Sequence, residues 1–401
     1  MDFLSLYGEA AKTAVGFFWK AGWAFVLGYT ISAMIQAFVP ERRLTRHMGQ
    51  PDAESVGLAT AFGAASSSCS FAALAAARSL LAKGAHFISA VAFMFASTNL
   101  VIELGILILI FLGWQYLVAE LIGGLLLILV SSLLIRWTYP KSWIEAAREK
   151  AQEETPEEEE SFSPMDRITS LDGWRRVGHG FVMEWQMVWQ EILVGFTIAG
   201  FVKVLVPESW WKTLFLADFK GQIPDLVIAL ENAVVAPFVA ALTFIGSMGN
   251  IPLASVLAGS GAAFAGVMGF IYSDLMVPPL VRVNARYYGW KVALYIAGVM
   301  FVSIVVTALA LHLGFGLLGL TPDGAAAKGP EAQFQIDYTF WLNLVFLGVA
   351  GAMVLLHRQH RRQHEGGGHH MQHGGKVQTA VTYLAMVVVA IGLVVFWVTG
   401  S

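Results

Sequence analysis

The chain has 401 residues, 57% hydrophobic and only 13% charged, with a net charge of −3 and one cysteine. Ordinary soluble domains carry about 25% charged residues, so a soluble globular protein is excluded and a polytopic membrane protein is implied. The lone cysteine excludes an internal disulfide and a Cys-type zinc cluster. The absence of a Gly-x-x-x-x-Gly-Lys-Ser/Thr segment argues against an ATP-driven pump in this chain.

In chain order, the first span is read over Ala14–Val39, ending at Pro40 and followed by Arg42, Arg43 and Arg46. It is too long for a signal-peptide core and is expected to stay in the membrane. A less apolar stretch, 53–82, is interrupted by Gly63-Ala64-Ala65-Ser66-Ser67-Ser68-Cys69-Ser70 and has Arg78 and Lys83 at its far end. Basic residues on both sides make it a re-entrant hairpin rather than a full crossing. Two apolar runs follow, Phe87–Phe111 with Ser97, Thr98, Asn99 and Glu103 inside it, and Tyr116–Ile135. A polar stretch opens at Arg136, and its middle, Glu153 to Glu160, carries six glutamates and is read as an unstructured cytoplasmic linker.

The second half opens with a span at Trp185–Val206, closed by Pro207. The stretch 226–260 holds a second interruption, Ile245-Gly246-Ser247-Met248-Gly249-Asn250-Ile251-Pro252. Ala262–Val281 carries Ser273 and Asp274, and Val292–Leu313 is a further span. A Gly-, Ala- and Pro-rich loop leads to two last spans, Phe340–Leu356 and Thr379–Val398, separated by a His-rich loop at 357–373.

The halves resemble each other. Gly28-Tyr-Thr-Ile to Val39-Pro-Glu41 matches Gly195-Phe-Thr-Ile to Val206-Pro-Glu208, and Phe87-Ile-Ser-Ala-Val-Ala-Phe93 matches Phe264-Ala-Gly-Val-Met-Gly-Phe270. Placing the basic loops after Val39, Ile135, Val281 and Leu356 in the cytoplasm requires opposite orientations for the two halves, with both termini outside. The expected fold is an all-α polytopic membrane protein with an inverted-topology repeat, two re-entrant or broken helical hairpins and two extra C-terminal transmembrane helices. Its units are a first repeat over 1–139, an acidic linker over 140–180, a second repeat over 181–320, and an exposed loop with the two last helices over 321–401. Interrupted apolar segments at matching positions of two halves point to a transporter's binding site.

That assigns substrate binding to Ser66, Ser67, Ser68, Cys69, Ser70, Asn99, Ser247 and Asn250. Cys69 reads either as a small packing residue or as a site-lining thiol. Asn250 reads as the cap of a half-helix, whose free N–H groups also favour an electron-rich ligand. Carboxylates inside apolar runs face the bundle interior and pair or carry protons, which assigns proton coupling to Glu231, Asp274 and Glu103. The imidazoles His360, His364, His369, His370 and His373 are a candidate metal set, against the plainer reading of a solvated linker made basic by Arg358, Arg361 and Arg362. No cofactor is expected. The expected partners are a small-molecule or ion substrate, the lipid bilayer and a second copy in a homo-oligomer, not nucleic acid.

The stretch Ser68-Cys69-Ser70-Phe71-Ala72-Ala73-Leu74, then Leu80-Leu81-Ala82-Lys83-Gly84-Ala85, then Ala92-Phe93-Met94-Phe95-Ala96-Ser97-Thr98-Asn99, resembles the signature of the predicted permeases that include the organoarsenical efflux permease ArsP. The resemblance recurs at Asn250–Asp274 and spans roughly 15–315, leaving out the two C-terminal spans. It implies a secondary-active inner-membrane exporter of a small soft metalloid or organometalloid compound. A divalent-metal carrier regulated by the His-rich loop, and a membrane enzyme or accessory subunit using Cys69, are the alternatives.

Overall fold

The computed structural model describes residues 3–38, 48–66, 70–153, 164–243, 247–322, 334, 336–363 and 376–399. They form seventeen α-helices and no sheet. The first half contains α1 (Phe3–Phe38), α2 (Ala53–Ser66), α3 (Ser70–Ala82), α4 (Phe87–Asn99), α5 (Ile102–Phe111) and α6 (Trp114–Thr138). Next come α7 (Lys141–Glu153) and α8 (Pro164–Thr169). The second half contains α9 (Leu171–Leu205), α10 (Glu208–Leu214), α11 (Asp225–Thr243), α12 (Ser247–Gly259), α13 (Phe264–Ile271), α14 (Pro278–Tyr288) and α15 (Trp290–Leu317). The last two are α16 (Tyr338–Gln363) and α17 (Lys376–Thr399). Among the described residues, α1, α6, α9, α11, α15, α16 and most of α17 are long and apolar enough to cross a membrane. The protein is therefore an all-α, multi-pass membrane protein.

The boundaries recur at a constant step. Ser66 and Thr243 end α2 and α11, Ser70 and Ser247 open α3 and α12, and Ala82 and Gly259 close them, each pair 177 residues apart. Gly84 and Gly261, which follow α3 and α12, share a φ of +99° that only glycine adopts without strain.

α1 and α9 pack against each other in antiparallel fashion. Phe38 meets Trp174, Phe25 meets Phe196 and Tyr7 meets Phe201, so residue numbers rise along one helix as they fall along the other. Gly200 permits the close approach, since a Cβ there would lie 2.6 Å from the Ala14 backbone nitrogen. Small residues at such crossings are how membrane helices associate.

Each interrupted segment folds back on itself. The His86 N–H donates to the Met48 carbonyl at 2.7 Å, so the entry of α2 and the exit of α3 meet. In the second hairpin, Asn232 of α11 donates to the Phe215 carbonyl at 2.8 Å and accepts from the Ala263 N–H, also at 2.8 Å, beyond the end of α12. The first hairpin opens at the end of the bundle where Arg148 donates to the Ala85 carbonyl at 3.0 Å. At that same end Lys150 reaches the Arg286 carbonyl, Arg167 the Ala37 carbonyl, and Arg175 the side chains of Gln359 and Gln363. The second hairpin opens at the opposite end, beyond Leu205 of α9.

The structure differs from the sequence reading in three places. The run Phe87–Phe111 is two helices bent by 42° at Leu100-Val101. Ser97, Thr98 and Asn99 all donate side-chain hydrogen bonds to the carbonyls of Met94 or Phe95, competing with the backbone ladder and ending α4. The run Ala262–Val281 breaks likewise, where Ser273 donates back to the Gly269 carbonyl and Pro278-Pro279 can only open a new helix. The linker is partly helical: α7 packs on α3 and α14, and α9 begins at Leu171, inside the stretch read as linker.

Candidate functional site

The tip of the first hairpin meets the break of the second half. Ser70, the first residue of α3, donates its hydroxyl to Oδ2 of Asp274 at 3.2 Å. Both residues are buried, and Asp274 is fully enclosed. It sits in the 3₁₀ turn Asp274–Met276, a step of 177 residues after Ser97 in the first half. The α4 and α13 segments thus hold a serine at one site and an aspartate at the equivalent one.

Two further carboxylates surround Asp274. Glu120 on α6 and Glu191 on α9 both lie close enough to feel its charge. The Tyr272 hydroxyl stands beside Glu120 and donates to the Ala119 carbonyl at 3.1 Å. The adjacent glycines of α6 make room: a Cβ on Gly123 would lie 2.2 Å from the Tyr272 hydroxyl, and one on Gly124 2.5 Å from Leu100. Among the described residues, Asp274, Glu120 and Glu191 form no ion pair. Charged carboxylates without partners are costly at membrane depth.

A second polar group ties the first hairpin to α9. Glu184 lies two helical turns before Glu191 and on the same face. Its Oε1 accepts from the Ser32 hydroxyl at 2.7 Å and from Gln36 Nε2 at 2.6 Å. Those two α1 side chains also reach the carbonyl of Ser66, the last residue of α2, at 2.9 and 3.3 Å. A C-terminal helix carbonyl has no intrahelical donor, and here α1 supplies it. Glu103 of α5 is also buried, feels the charge of Glu184 and packs against Gly28, where a Cβ would lie 2.3 Å from the Glu103 Cβ.

Asn250 lies in the first turn of α12, fully buried, and neither its Oδ1 nor its Nδ2 has a hydrogen-bond partner among the described residues. Buried amides in native proteins are nearly always satisfied, so this one is an exception. Pro252, two residues on, lacks the N–H that would bond the Met248 carbonyl. α12 packs on α9, α5 and the Asp274 turn, which carry Glu184, Glu191, Glu103 and Asp274.

The sequence-named residues therefore divide. Ser66, Ser70, Asp274 and Glu103 join the network, and Asn99 is buried at the end of α4, its Nδ2 donating to Phe95 at 3.0 Å and its Oδ1 without a partner. Glu231 stands apart. Its carboxylate accepts from Asn232 Nδ2 at 2.7 Å, beside the Ala263 N–H at the open end of the second hairpin. Ser67, Ser68 and Cys69 lie outside the described residues, as do the Ser247 side chain and His364, His369, His370 and His373.

His360 is not in a loop, because α16 continues to Gln363; its ring lies 4.9 Å from that of His179 on α9, and His179 Nδ1 is 3.1 Å from His357 Nδ1. Among the described residues no group of three or more His, Cys, Asp or Glu side chains is placed to hold a metal ion. Glu120, Glu184, Glu191, Ser32 and Gln36 were not singled out from sequence. The signal was there for the two glutamates of α9, seven residues apart and so on one face of the helix.

The family model described as predicted permease, ArsP_1, matches residues 6–313, from the start of α1 almost to the end of α15. The chain belongs to this permease family. A Mycobacterium tuberculosis (strain ATCC 25618 / H37Rv) protein named as a permease, Rv2963, is 39% identical over 319 residues, which cover 77% of each chain. No solved structure matches. The matched region holds every residue of the polar network, and the permease carries α16 and α17 beyond it.

Proposed function

We propose that this permease is a secondary-active exporter built as an inverted-topology repeat, with its two re-entrant hairpins meeting near mid-bilayer around the substrate. The antiparallel α1–α9 pair, the constant step between hairpin boundaries and the opposite open ends of the hairpins support that architecture. The observation that carries the site is the Ser70–Asp274 hydrogen bond across the halves, beside an Asn250 amide with no partner among the described residues. Substrate contacts are assigned to Ser66, Ser70, Asn99 and Asn250, with Ser67, Ser68, Cys69 and Ser247 at the two hairpin tips. Proton coupling is assigned to Asp274 with Glu120 and Glu191, and to the Glu103–Glu184 pair. Glu231 is dropped from that role because it sits at the open end of its hairpin.

The substrate class that the family resemblance supports is a small soft metalloid or organometalloid compound, and the membrane is the inner, plasma membrane. The test is uptake of a trivalent aryl arsenical into inside-out vesicles holding the full-length protein, with and without an imposed proton gradient. Gradient-stimulated uptake that is lost in Asn250→Ala and Asp274→Asn is the expected result. Wild-type uptake in both variants, and in Ser70→Ala, would reject the site.

A further inference from the structure

The C-terminal helix pair lies beyond the region matched by the family model, which ends at residue 313. It nevertheless packs on α1 and α9, the two helices that carry Ser32, Gln36, Glu184 and Glu191. Its grip on α1 is polar and specific. Asn343 of α16 donates to the Trp19 carbonyl at 2.7 Å, and its Oδ1 accepts from the Trp23 N–H at 2.9 Å. Those two groups are the acceptor and donor of a single i→i−4 pair of α1, which stays helical through them, so the amide bridges the pair from the side. Gly22 lets the amide in, since a Cβ there would come within 3.2 Å of Asn343 Oδ1.

Immediately before α16, Asp337 binds Lys20 at 2.5 Å, and its other oxygen accepts from the Thr339 N–H at 2.9 Å. Lys20 is only 6% exposed in an apolar helix, so its charge needs this partner.

We propose that the C-terminal helix pair is a brace added to the permease core, and that Asn343 is its key. By bridging the Trp19 carbonyl and the Trp23 N–H, Asn343 pins α1 about three turns before the Ser32 and Gln36 contacts to the first hairpin. Asn343 is thus a positioning residue: it acts on the site through α1 and touches no residue of the site itself. The proposal concerns how α1 is held and stands apart from the choice of substrate.

The test uses the full-length protein in lipid nanodiscs, comparing wild type with Asn343→Ala and with Gly22→Val, which expels the amide while leaving α16 intact. Amide hydrogen exchange is read along α1 without any ligand. The expected result is a change of threefold or more in exchange rate over residues 19–27 in both variants, with α11 and α12 unchanged. The maximal export rate of the trivalent aryl arsenical should shift threefold or more while KM stays within twofold. Unchanged exchange in either variant that folds overturns the brace. Altered exchange with an unchanged export rate overturns its control of transport and leaves Asn343 a structural pin. No transport of the probe by wild type would count against the proposed substrate alone, because the exchange data decide the brace without it.

Discussion

Gly123 offers the sharpest test of how the carboxylate cluster is packed. Replacing it by alanine puts a Cβ 2.2 Å from the Tyr272 hydroxyl and 2.5 Å from Leu311 Cδ1. The hydroxyl must move by about 1.2 Å to restore an ordinary contact of 3.4 Å, which breaks its 3.1 Å bond to the Ala119 carbonyl. Overpacking a dense core costs about 1–3 kcal/mol, and a lost neutral hydrogen bond about 1 kcal/mol. Alanine in a helix returns up to about 1 kcal/mol relative to glycine. The net expectation is a loss of about 1–3 kcal/mol. Gly298→Ala is the control, since nothing lies within 4 Å of a Cβ there and only the propensity gain of up to about 1 kcal/mol remains. The assay is reversible denaturant unfolding in detergent, with both variants read side by side. Equal stability of the two variants would refute the tight fit of α6 against Tyr272 and, with it, the placement of Glu120 beside Asp274.

Glu184→Ala removes the acceptor for two donors and is expected to cost about 2–4 kcal/mol, whereas Glu184→Gln keeps one acceptor oxygen and should cost under about 1.5 kcal/mol by the same unfolding assay. Asp274→Asn should leave the fold intact and remove the stimulation of transport by a proton gradient, read in the vesicle assay. The Asp337 carboxyl is held below the usual carboxylate range chiefly by its hydrogen bond from Lys20. A depressed folded-state value means that its contribution is present above the unfolded value of 3.8 and is lost as pH falls through the lower folded value. The protection factor of the Thr339 amide, with the intrinsic pH dependence of exchange divided out, should therefore fall in wild type as pH drops below 3.8 and stay constant over that window in Asp337→Asn. Single cysteines at Lys150 and Gln359, in a Cys69→Ser background, should be labelled from one face of the membrane and a cysteine at Lys212 from the other. Labelling of Lys150 and Gln359 from opposite faces would contradict the gathering of basic segments at one end of the bundle.

Much of the architecture could be read from the linear chain, because the determinants are local. The length of an apolar run sets whether it crosses a bilayer of about 30 Å. Ser, Gly and Pro inside such a run interrupt it: the first helix break, between Ser66 and Ser70, falls inside the stretch 63–70, whereas in the second half the helix has already resumed at Ser247, so Gly249 to Pro252 are helical. The Val-Pro-Glu closing both first spans, and the paired Phe87 and Phe264 segments, are the sequence features on which the proposed repeat rests. The bend at Leu100 was missed because Val101 to Phe111 is as apolar as the run before it, and the break comes from side chains bonding backward.

Only the tertiary structure decided which polar groups work together. Glu120, Glu184, Glu191 and Asp274 are scattered over more than 150 positions and stand in separate helices or turns. Which of them meet depends on which helix faces are buried against each other, and no helix carries that information alone. Glu231 shows the converse: it has the same chemistry and a comparable apolar setting, yet the hairpin's return leaves it at the open end. Composition and periodicity determined that this chain spans a membrane and breaks twice. The long-range packing of α1, α6, α9 and the Asp274 turn determined where its charge lies.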